Sequence, residues 1–214
     1  MSTLNTHARA RGPGHLRRLL RLVGLMSVLV WVGIPAAARA ADVEAGQRKA
    51  EVCVPCHGVG GNSTTPAIPS LAGQPPLYTY YQLLMFRGQQ RVDPQMSPLA
   101  ASLSDADMQD IAAYYAAQTP VASRGPGDPA KAELGQKLVR AHHCDACHAP
   151  GLIGQKHIPR LAGQHYEYLL KQLGAFKAQT RTDLEGSMTM AAQPLSQEDI
   201  ETLAHFIAHL QPRP

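Results

Sequence analysis

The chain has 214 residues, which is enough for one large domain or two small ones. Only 5% of the residues are aromatic, so three Phe, seven Tyr and one Trp cannot fill two ordinary small cores, and a macrocyclic cofactor would supply the missing apolar bulk. The formal charge of +4 does not indicate nucleic-acid binding, because residues 41–214 alone carry 14 bases and 16 acids, or −2.

Residues 1–40 have the pattern of a secretory signal peptide. A segment with five Arg and no acid precedes a mostly apolar run at residues 22–34, and small residues follow up to Ala38, Arg39 and Ala40. We predict cleavage after Ala40 and export to the periplasm. A retained membrane anchor is the alternative, but the apolar run is shorter than the roughly 20 residues that a spanning helix needs.

Three motifs recur in the same order along the chain at offsets of 90 to 92 residues. They are residues 53–57 and 144–148, residues 69–74 and 159–164, and residues 103–107 and 195–199. This repetition indicates a duplicated domain, since two long copies are too few for a solenoid. We predict an N-terminal domain at 41–121 and a C-terminal domain at 131–214. Residues 122–130, which are rich in Pro and Gly, form the predicted linker.

Both copies have the patterns of helices connected by loops. The predicted helices are residues 43–51, 78–87 and 104–118 in the first copy and 129–141, 166–177 and 196–210 in the second. Asp128 and Pro129 suit the start of a helix, and the Ser-x-x-Asp sequences at Ser104 and Ser196 resemble capping boxes. No segment has a convincing alternating strand pattern, so the predicted fold class is all-α.

All four cysteines lie in two Cys-x-x-Cys-His motifs, which are Cys53, Cys56 and His57, and Cys144, Cys147 and His148. This motif is typical of c-type haem attachment, because two thiols at this spacing can each form a thioether with a haem vinyl group. The adjacent His is then placed to bind the iron axially. A dithiol redox pair and a zinc site are the alternatives. The first lacks a surrounding βαβ pattern, and the second would join pairs about 91 residues apart.

The sixth iron ligand must come from another part of each copy. Met96 lies in a predicted Pro-containing loop before the last helix, whereas Met85 and Met108 occupy predicted helical core positions. In the second copy both Met188 and Met190 qualify, and Met188 is preferred because it precedes its Leu-Ser motif by seven residues, as Met96 does. An iron with His and Met ligands has no open position, which favours electron transfer over catalysis.

These residues resemble class I cytochromes c and, more narrowly, the dihaem cytochrome c4 group. The Ile-Pro-x-Leu-Ala-Gly-Gln sequences at 68–74 and 158–164 point to this group, as does Met-x-x-x-Ala at 96–100 and 188–192. The resemblance covers about residues 42–212. It implies two tandem class I cytochrome c domains, each a small helical fold wrapped around one covalently attached haem c.

The resemblance also implies roles for individual residues. The carbonyl groups of Pro69 and Pro159 would accept hydrogen bonds from the axial histidines. Close crossings of the first and last helices would need Gly46 against Tyr114 and Gly135 against Phe206. Two basic residues lie between the middle helix and the Met in each copy, and they are candidate haem propionate partners, with a solvated surface role as the alternative: Arg87, Arg91, Lys177 and Arg181.

The predicted function is electron transfer without catalysis. By analogy with the family, the expected partners are a membrane quinol–cytochrome c reductase and a terminal oxidase or reductase, and peripheral membrane association stays open. Two alternatives remain: a cytochrome subunit of a larger dehydrogenase or reductase complex, and a dihaem peroxidase, which would need one open iron site.

Overall fold

The computed structural model describes residues 40–122 and 127–212. The predicted signal peptide therefore lies outside the described residues, apart from Ala40 at its end. In the described ranges there are helices, turns and one isolated bridge between Gln155 and Ile158, but no strand. None of the helices in these ranges is long and apolar enough to cross a membrane.

The two halves of the described chain contain the same succession of five α-helices. The first half has α1 (Val43–Lys49), α2 (Val54–His57), α3 (Pro76–Arg87), α4 (Met96–Ala101) and α5 (Asp105–Ala116). The second half has α6 (Pro129–Ala141), α7 (Cys144–His148), α8 (Tyr166–Lys177), α9 (Ser187–Ala192) and α10 (Gln197–His209). Short 3-10 turns are formed by Ala50–Cys53, Val59–Gly61 and Pro150–Leu152.

The predicted starts of α5, α6 and α10 are confirmed. The Asp128 side chain accepts a hydrogen bond from the Ala130 amide at 2.8 Å, and Pro129 lies in the first turn of α6. At the start of α5 and α10, each serine and the acid three residues later form a reciprocal capping box. These local hydrogen bonds satisfy amide groups that the first helical turn leaves without partners.

Two predictions of local structure need correction. Met96 does not lie in a loop but begins α4, because the Asp93 carboxylate accepts from the Met96 amide at 3.0 Å and the Asp93 amide donates to Ser97 Oγ at 3.1 Å. A Pro inside the first turn, Pro98, is compatible with this start, since the first amides of a helix have no helical partner. In addition, α6 begins at Pro129, so the last two residues of the predicted linker at 122–130 are helical.

Each half packs its first long helix across its last one. The contacts join α1 to α5 and α6 to α10, and α3 and α8 cover the remaining sides. Met85 and Met108, predicted as core residues, are 2% and 0% exposed. The core of the second half is built on α10, where Ile200, Leu203 and Ile207 are buried.

Glycine is required at both helix crossings. A Cβ atom on Gly46 would lie 2.0 Å from the carbonyl oxygen of Asp110, and one on Gly135 would lie 2.2 Å from the Cβ of Phe206. The expected close approach at Gly46 and Gly135 is therefore confirmed, with Tyr114 and Phe206 as the aromatic neighbours.

We expect Gly46→Ala and Gly135→Ala each to destabilise the holoprotein by about 2 kcal/mol or more, because the new methyl group forces the crossing helices apart. Thermal unfolding followed by circular dichroism measures the effect. Gly174→Ala in α8 is the matched control, since nothing lies within 4 Å of the added Cβ. The control should be neutral or stabilising by about 0.5–1 kcal/mol. Equal changes in thermal stability for all three variants would contradict the conclusion that both helix crossings require glycine.

An ionic network also joins α1 to α5. Lys49 Nζ lies 2.5 Å from Asp107 Oδ1 and 2.9 Å from Asp110 Oδ2, and the Asp110 side chain is fully buried. The Asp110 carboxylate accepts a second hydrogen bond from the Asp42 amide at 2.8 Å. The hydrogen bonds from Lys49 and Ser104 lower the pKa of Asp107 well below its usual range.

A carboxylate whose pKa is lowered by folding stabilises the protein above its unfolded pKa, and this contribution is lost as the pH falls. Lys49→Met should therefore be less stable than the wild type at neutral pH, and the difference should narrow towards about pH 3. Melting temperatures of the holoprotein across this range measure it. Lys131→Met, at an exposed position of α6, should follow the wild-type profile.

Candidate haem sites and the interface between them

The two Cys-x-x-Cys-His motifs form matching short helices. Cys53 and Cys144 are half-buried, whereas Cys56 and Cys147 are exposed, and all four thiols are free. In the first half Cys53 ends a 3-10 turn and α2 carries Cys56 one turn later. In the second half both cysteines lie in α7. Each motif thus places its two thiols three residues apart, which is about one helical turn.

The histidine of each motif is buried and held by a proline carbonyl. His57 is 6% exposed and its Nδ1 lies 2.9 Å from the oxygen of Pro69. His148 is 4% exposed and its Nδ1 lies 2.9 Å from the oxygen of Pro159. A carbonyl oxygen can only accept, so Nδ1 carries the proton. Burial lowers the pKa of both histidines, which favours the neutral ring with its lone pair on Nε2.

The structure distinguishes the three candidate methionines. Met96 and Met188 are partly buried and pack against the cores of the two halves. The Met188 amide donates to Asp183 Oδ1 at 3.2 Å, much as the Met96 amide donates to Asp93 Oδ1. Met190 is 68% exposed. A preceding aspartate thus holds each methionine in the first turn of its short helix, Met96 in α4 and Met188 in α9.

These side chains fit a covalently attached haem in each half. The donor set is a neutral imidazole with a free Nε2, a thioether on a short helix, and two free thiols on one turn. Imidazole and thioether are ligands that suit haem iron, and the imidazole is oriented by a hydrogen bond behind it.

The four candidate propionate partners divide into two pairs. Arg87 donates to the oxygen of Leu103 at 2.9 Å and to Asp105 at 2.5 Å. Lys177 donates to the oxygen of Gln193 at 3.0 Å. These two residues therefore make hydrogen bonds within their own halves.

Arg91 and Arg181 instead lie between the halves. Arg91 Nη2 donates to the Tyr168 hydroxyl and to Gln172 Oε1, each at 3.2 Å. Arg181 Nη2 donates across to Gln82 Oε1 at 3.3 Å. Each guanidinium also stacks on an aromatic ring of its own half, Phe86 at 4.6 Å and Phe176 at 4.5 Å.

Two tyrosines belong to the same cluster, which the sequence analysis did not single out. Burial raises the pKa of Tyr78. Burial also opposes ionisation of Tyr168, but the guanidinium groups of Arg91 and Arg181 outweigh it and lower the pKa to about 8. The signal was present in the sequence, since Tyr78 and Tyr168 are 90 residues apart, as are Arg91 and Arg181.

Buried glutamines connect the two halves at a second place. The Gln164 side chain bonds both the amide and the carbonyl of Ser70, at 2.8 and 3.0 Å. The Gln74 side chain bonds the amide and the carbonyl of Arg160 in the same way, at 3.0 and 2.9 Å. His165 Nε2 donates to the oxygen of Ser63 at 2.9 Å. The interface therefore has an approximate two-fold pattern.

The buried Arg160 breaks this pattern. Its side chain is among the largest fully buried ones of the described chain, and it donates to Ala72 O of the first half at 2.8 Å and to Ala162 O of its own half. Burial lowers the pKa of Arg160 to about 10, so it stays charged at neutral pH. The equivalent residue in the first half is Ser70.

Comparisons with known proteins agree with this geometry. The family model described as cytochrome c matches the chain twice, at residues 43–117 and 132–211. Cytochrome c4 from Stutzerimonas stutzeri is 41% identical over 207 residues, which covers 87% of this chain and 98% of that protein. The chain belongs to the cytochrome c family, in the cytochrome c4 group.

Two further comparisons concern the fold and the role of this chain. The crystal structure of reduced recombinant cytochrome c4 from Pseudomonas stutzeri has a TM-score of 0.74 at 39% identity, with 80% of this chain and 100% of that chain covered. A thiosulfate dehydrogenase electron acceptor from Thiomonas intermedia is 32% identical over 204 residues, covering 90% of this chain and 91% of that protein.

The predicted all-α fold of two tandem cytochrome c domains is confirmed. This member of the cytochrome c4 group carries two covalently attached haem c groups, one for each Cys-x-x-Cys-His motif, and it transfers electrons.

Proposed function

We propose that this dihaem cytochrome is a periplasmic carrier. It accepts electrons from a membrane quinol–cytochrome c reductase and delivers them to a terminal oxidase or reductase by outer-sphere transfer. The observation that carries this proposal is the donor set of each half, a buried neutral histidine with one partly buried methionine. When bound, each haem supplies an iron that alternates between the ferrous and ferric states.

The proposed attachment follows the matching geometry of the halves. Cys53, Cys56, Cys144 and Cys147 form the thioethers. His57 and Met96 would bind the iron in the N-terminal domain, and His148 and Met188 would bind it in the C-terminal domain. The Pro69 and Pro159 carbonyls orient the two imidazoles. Two protein ligands on each iron leave no position for substrate, which supports a carrier without catalytic activity of its own.

The proposed organisation and location follow from the sequence patterns. We place the two domains at 41–121 and 131–214, and the start of α6 overlaps the end of the linker between them. We place cleavage of the leader after Ala40. Export agrees with the chemistry of covalent haem, which in bacteria is attached outside the cytoplasm.

Arg91 and Arg181 are the better candidates for propionate binding. Arg87 and Lys177 are already bonded to carbonyl oxygens of their own halves. Arg91 and Arg181 bring two guanidinium groups, which suit carboxylates, into one partly buried cluster with two tyrosines.

The ligand assignment is tested by Met96→Ala and Met188→Ala. In each variant the iron of one haem should lack its sixth protein ligand, so that haem should bind carbon monoxide when reduced. The reduction potential of the same haem should fall, because the thioether no longer favours the ferrous state. Optical redox titration with and without carbon monoxide measures both effects. The wild type should titrate as two low-spin haems that carbon monoxide leaves unchanged.

Met190→Ala and Met85→Ala are the controls for this titration. Met190 is exposed and Met85 is a buried core residue, so neither change should open a haem. Loss of the thioether ligand in Met190→Ala would overturn the assignment of Met188. Carbon monoxide binding by the wild type would contradict the proposed carrier function and favour a catalytic role.

The relative from Thiomonas intermedia favours one alternative. Its name describes an electron acceptor of thiosulfate dehydrogenase, so this chain could be the cytochrome subunit of a dehydrogenase or reductase complex. Purification of the tagged full-length protein from its own cells distinguishes the two. A stoichiometric catalytic subunit would support the complex, whereas an isolated holoprotein that is reduced by quinol–cytochrome c reductase would support the carrier.

A further inference from the structure

One peptide unit joins the histidine of each haem motif to a glutamine of the opposite half. In the C-terminal half, His148 Nδ1 donates to the oxygen of Pro159 at 2.9 Å. The N–H group of that same peptide unit, which belongs to Arg160, donates to Gln74 Oε1 at 3.0 Å. Gln74 belongs to the N-terminal half, so a continuous hydrogen-bonded path crosses the interface.

The N-terminal half has the mirror arrangement. His57 Nδ1 donates to the oxygen of Pro69 at 2.9 Å, and the Ser70 amide of that peptide unit donates to Gln164 Oε1 at 2.8 Å. Gln164 belongs to the C-terminal half. Two equivalent paths thus run in opposite directions through one interface.

The surroundings make these hydrogen bonds strong and well defined. Gln74 and Gln164 are 2% and 3% exposed, and Ser70 and Arg160 are each 2% exposed. Each glutamine is also held by a second hydrogen bond, from its Nε2 to the carbonyl of Ser70 or Arg160. Hydrogen bonds in a buried environment polarise one another more than they do in water.

The chemistry of the amide sets the direction of the effect. When a glutamine oxygen accepts from a peptide N–H, the carbonyl oxygen of that peptide becomes more negative and a stronger acceptor. The histidine Nδ1–H bond to that carbonyl then strengthens, and the imidazole becomes a better donor through Nε2. Stronger donation stabilises the ferric state.

We propose that Gln74 and Gln164 are positioning residues that set the reduction potential of the haem in the opposite domain. Gln74 acts on the C-terminal haem through the Pro159–Arg160 peptide, and Gln164 acts on the N-terminal haem through the Pro69–Ser70 peptide. The inference rests on the proposed axial roles of His57 and His148. Its consequence is that the fit of the two domains adjusts both potentials.

The test uses Gln74→Leu and Gln164→Leu in the full-length holoprotein. Redox titration followed by NMR assigns a potential to each haem through contacts with the cysteines and histidine of its own motif. Gln74→Leu should raise the reduction potential of the C-terminal haem and leave that of the N-terminal haem unchanged. At a fixed ambient potential, the ferric-to-ferrous ratio of the C-terminal haem should fall by at least about twofold. Gln164→Leu should do the reverse.

His165→Leu is the matched control, because it removes a different hydrogen bond across the interface, the one from the His165 side chain to Ser63 O. The backbone amide at this position, which donates to Gln164 Oε1 at 3.1 Å, is kept. The control should shift neither potential. All three changes leave the Arg160 guanidinium with its bonds to Ala72 and Ala162. If Gln74→Leu gives no holoprotein, Gln74→Met keeps the side-chain length, removes the acceptor oxygen and carries the same expectation.

Shifts confined to the variant's own domain, or equal shifts in all variants including the control, would overturn the proposed relay. Failure of the proposed function would look different. In that case the wild type itself would lack the absorption band of thioether-ligated ferric haem or would bind carbon monoxide, whatever the glutamine variants do.

Discussion

A hydrogen bond between a buried histidine and a proline carbonyl is the constraint on which the rest of the structure depends. It assigns the proton to Nδ1 of His57 and His148 and leaves Nε2 free, and it fixes the plane of each ring. It also places the following peptide, and the Leu-Ala-Gly-Gln sequence after that peptide ends in the glutamine, Gln74 or Gln164, that bonds to the opposite half. The orientation of the histidine and the docking of the domains are therefore set by the same short loop.

The helix crossings support this loop from the other side. Gly46 and Gly135 let α1 and α6 approach α5 and α10 so closely that the backbone carbonyl of Asp110 and the side chain of Phe206 leave no room for a methyl group. Because the Cys-x-x-Cys-His turns follow directly after α1 and α6, these crossings determine where each turn begins. A small aromatic content is sufficient, since each half surrounds a macrocycle and does not need a large core of its own.

The two domains are alike in pattern and unequal in charge. Gln74 and Gln164 make equivalent bonds, and Arg91 and Arg181 make equivalent stacking contacts. Arg160, however, introduces a buried cation where the first domain has Ser70. Charges interact strongly in a buried environment, so the two haem motifs lie in different electrostatic surroundings although their nearest contacts match.

The sequence by itself determined the duplication, the helical class, the capping boxes at Ser104 and Ser196 and the haem chemistry. The capping boxes, the helical patterns and the haem motifs depend on spacing between residues close together in the chain, and the duplication is visible because these local motifs recur at nearly one offset. It misplaced Met96 in a loop, since an Asp followed by a Pro resembles an ordinary turn in sequence, whereas the Asp93 carboxylate accepts from the Met96 amide where α4 begins. Only the tertiary structure decided the interface: that Gln74 reaches Arg160, that Arg91 meets Tyr168, and that Met190 is exposed. The first two contacts join residues 86 and 77 positions apart, and the exposure of Met190 depends on which face of a short helix meets the core. Local spacing in the sequence does not indicate the contacts between the domains or the exposed face of α9, because the packing of the helices and of the two domains determines them.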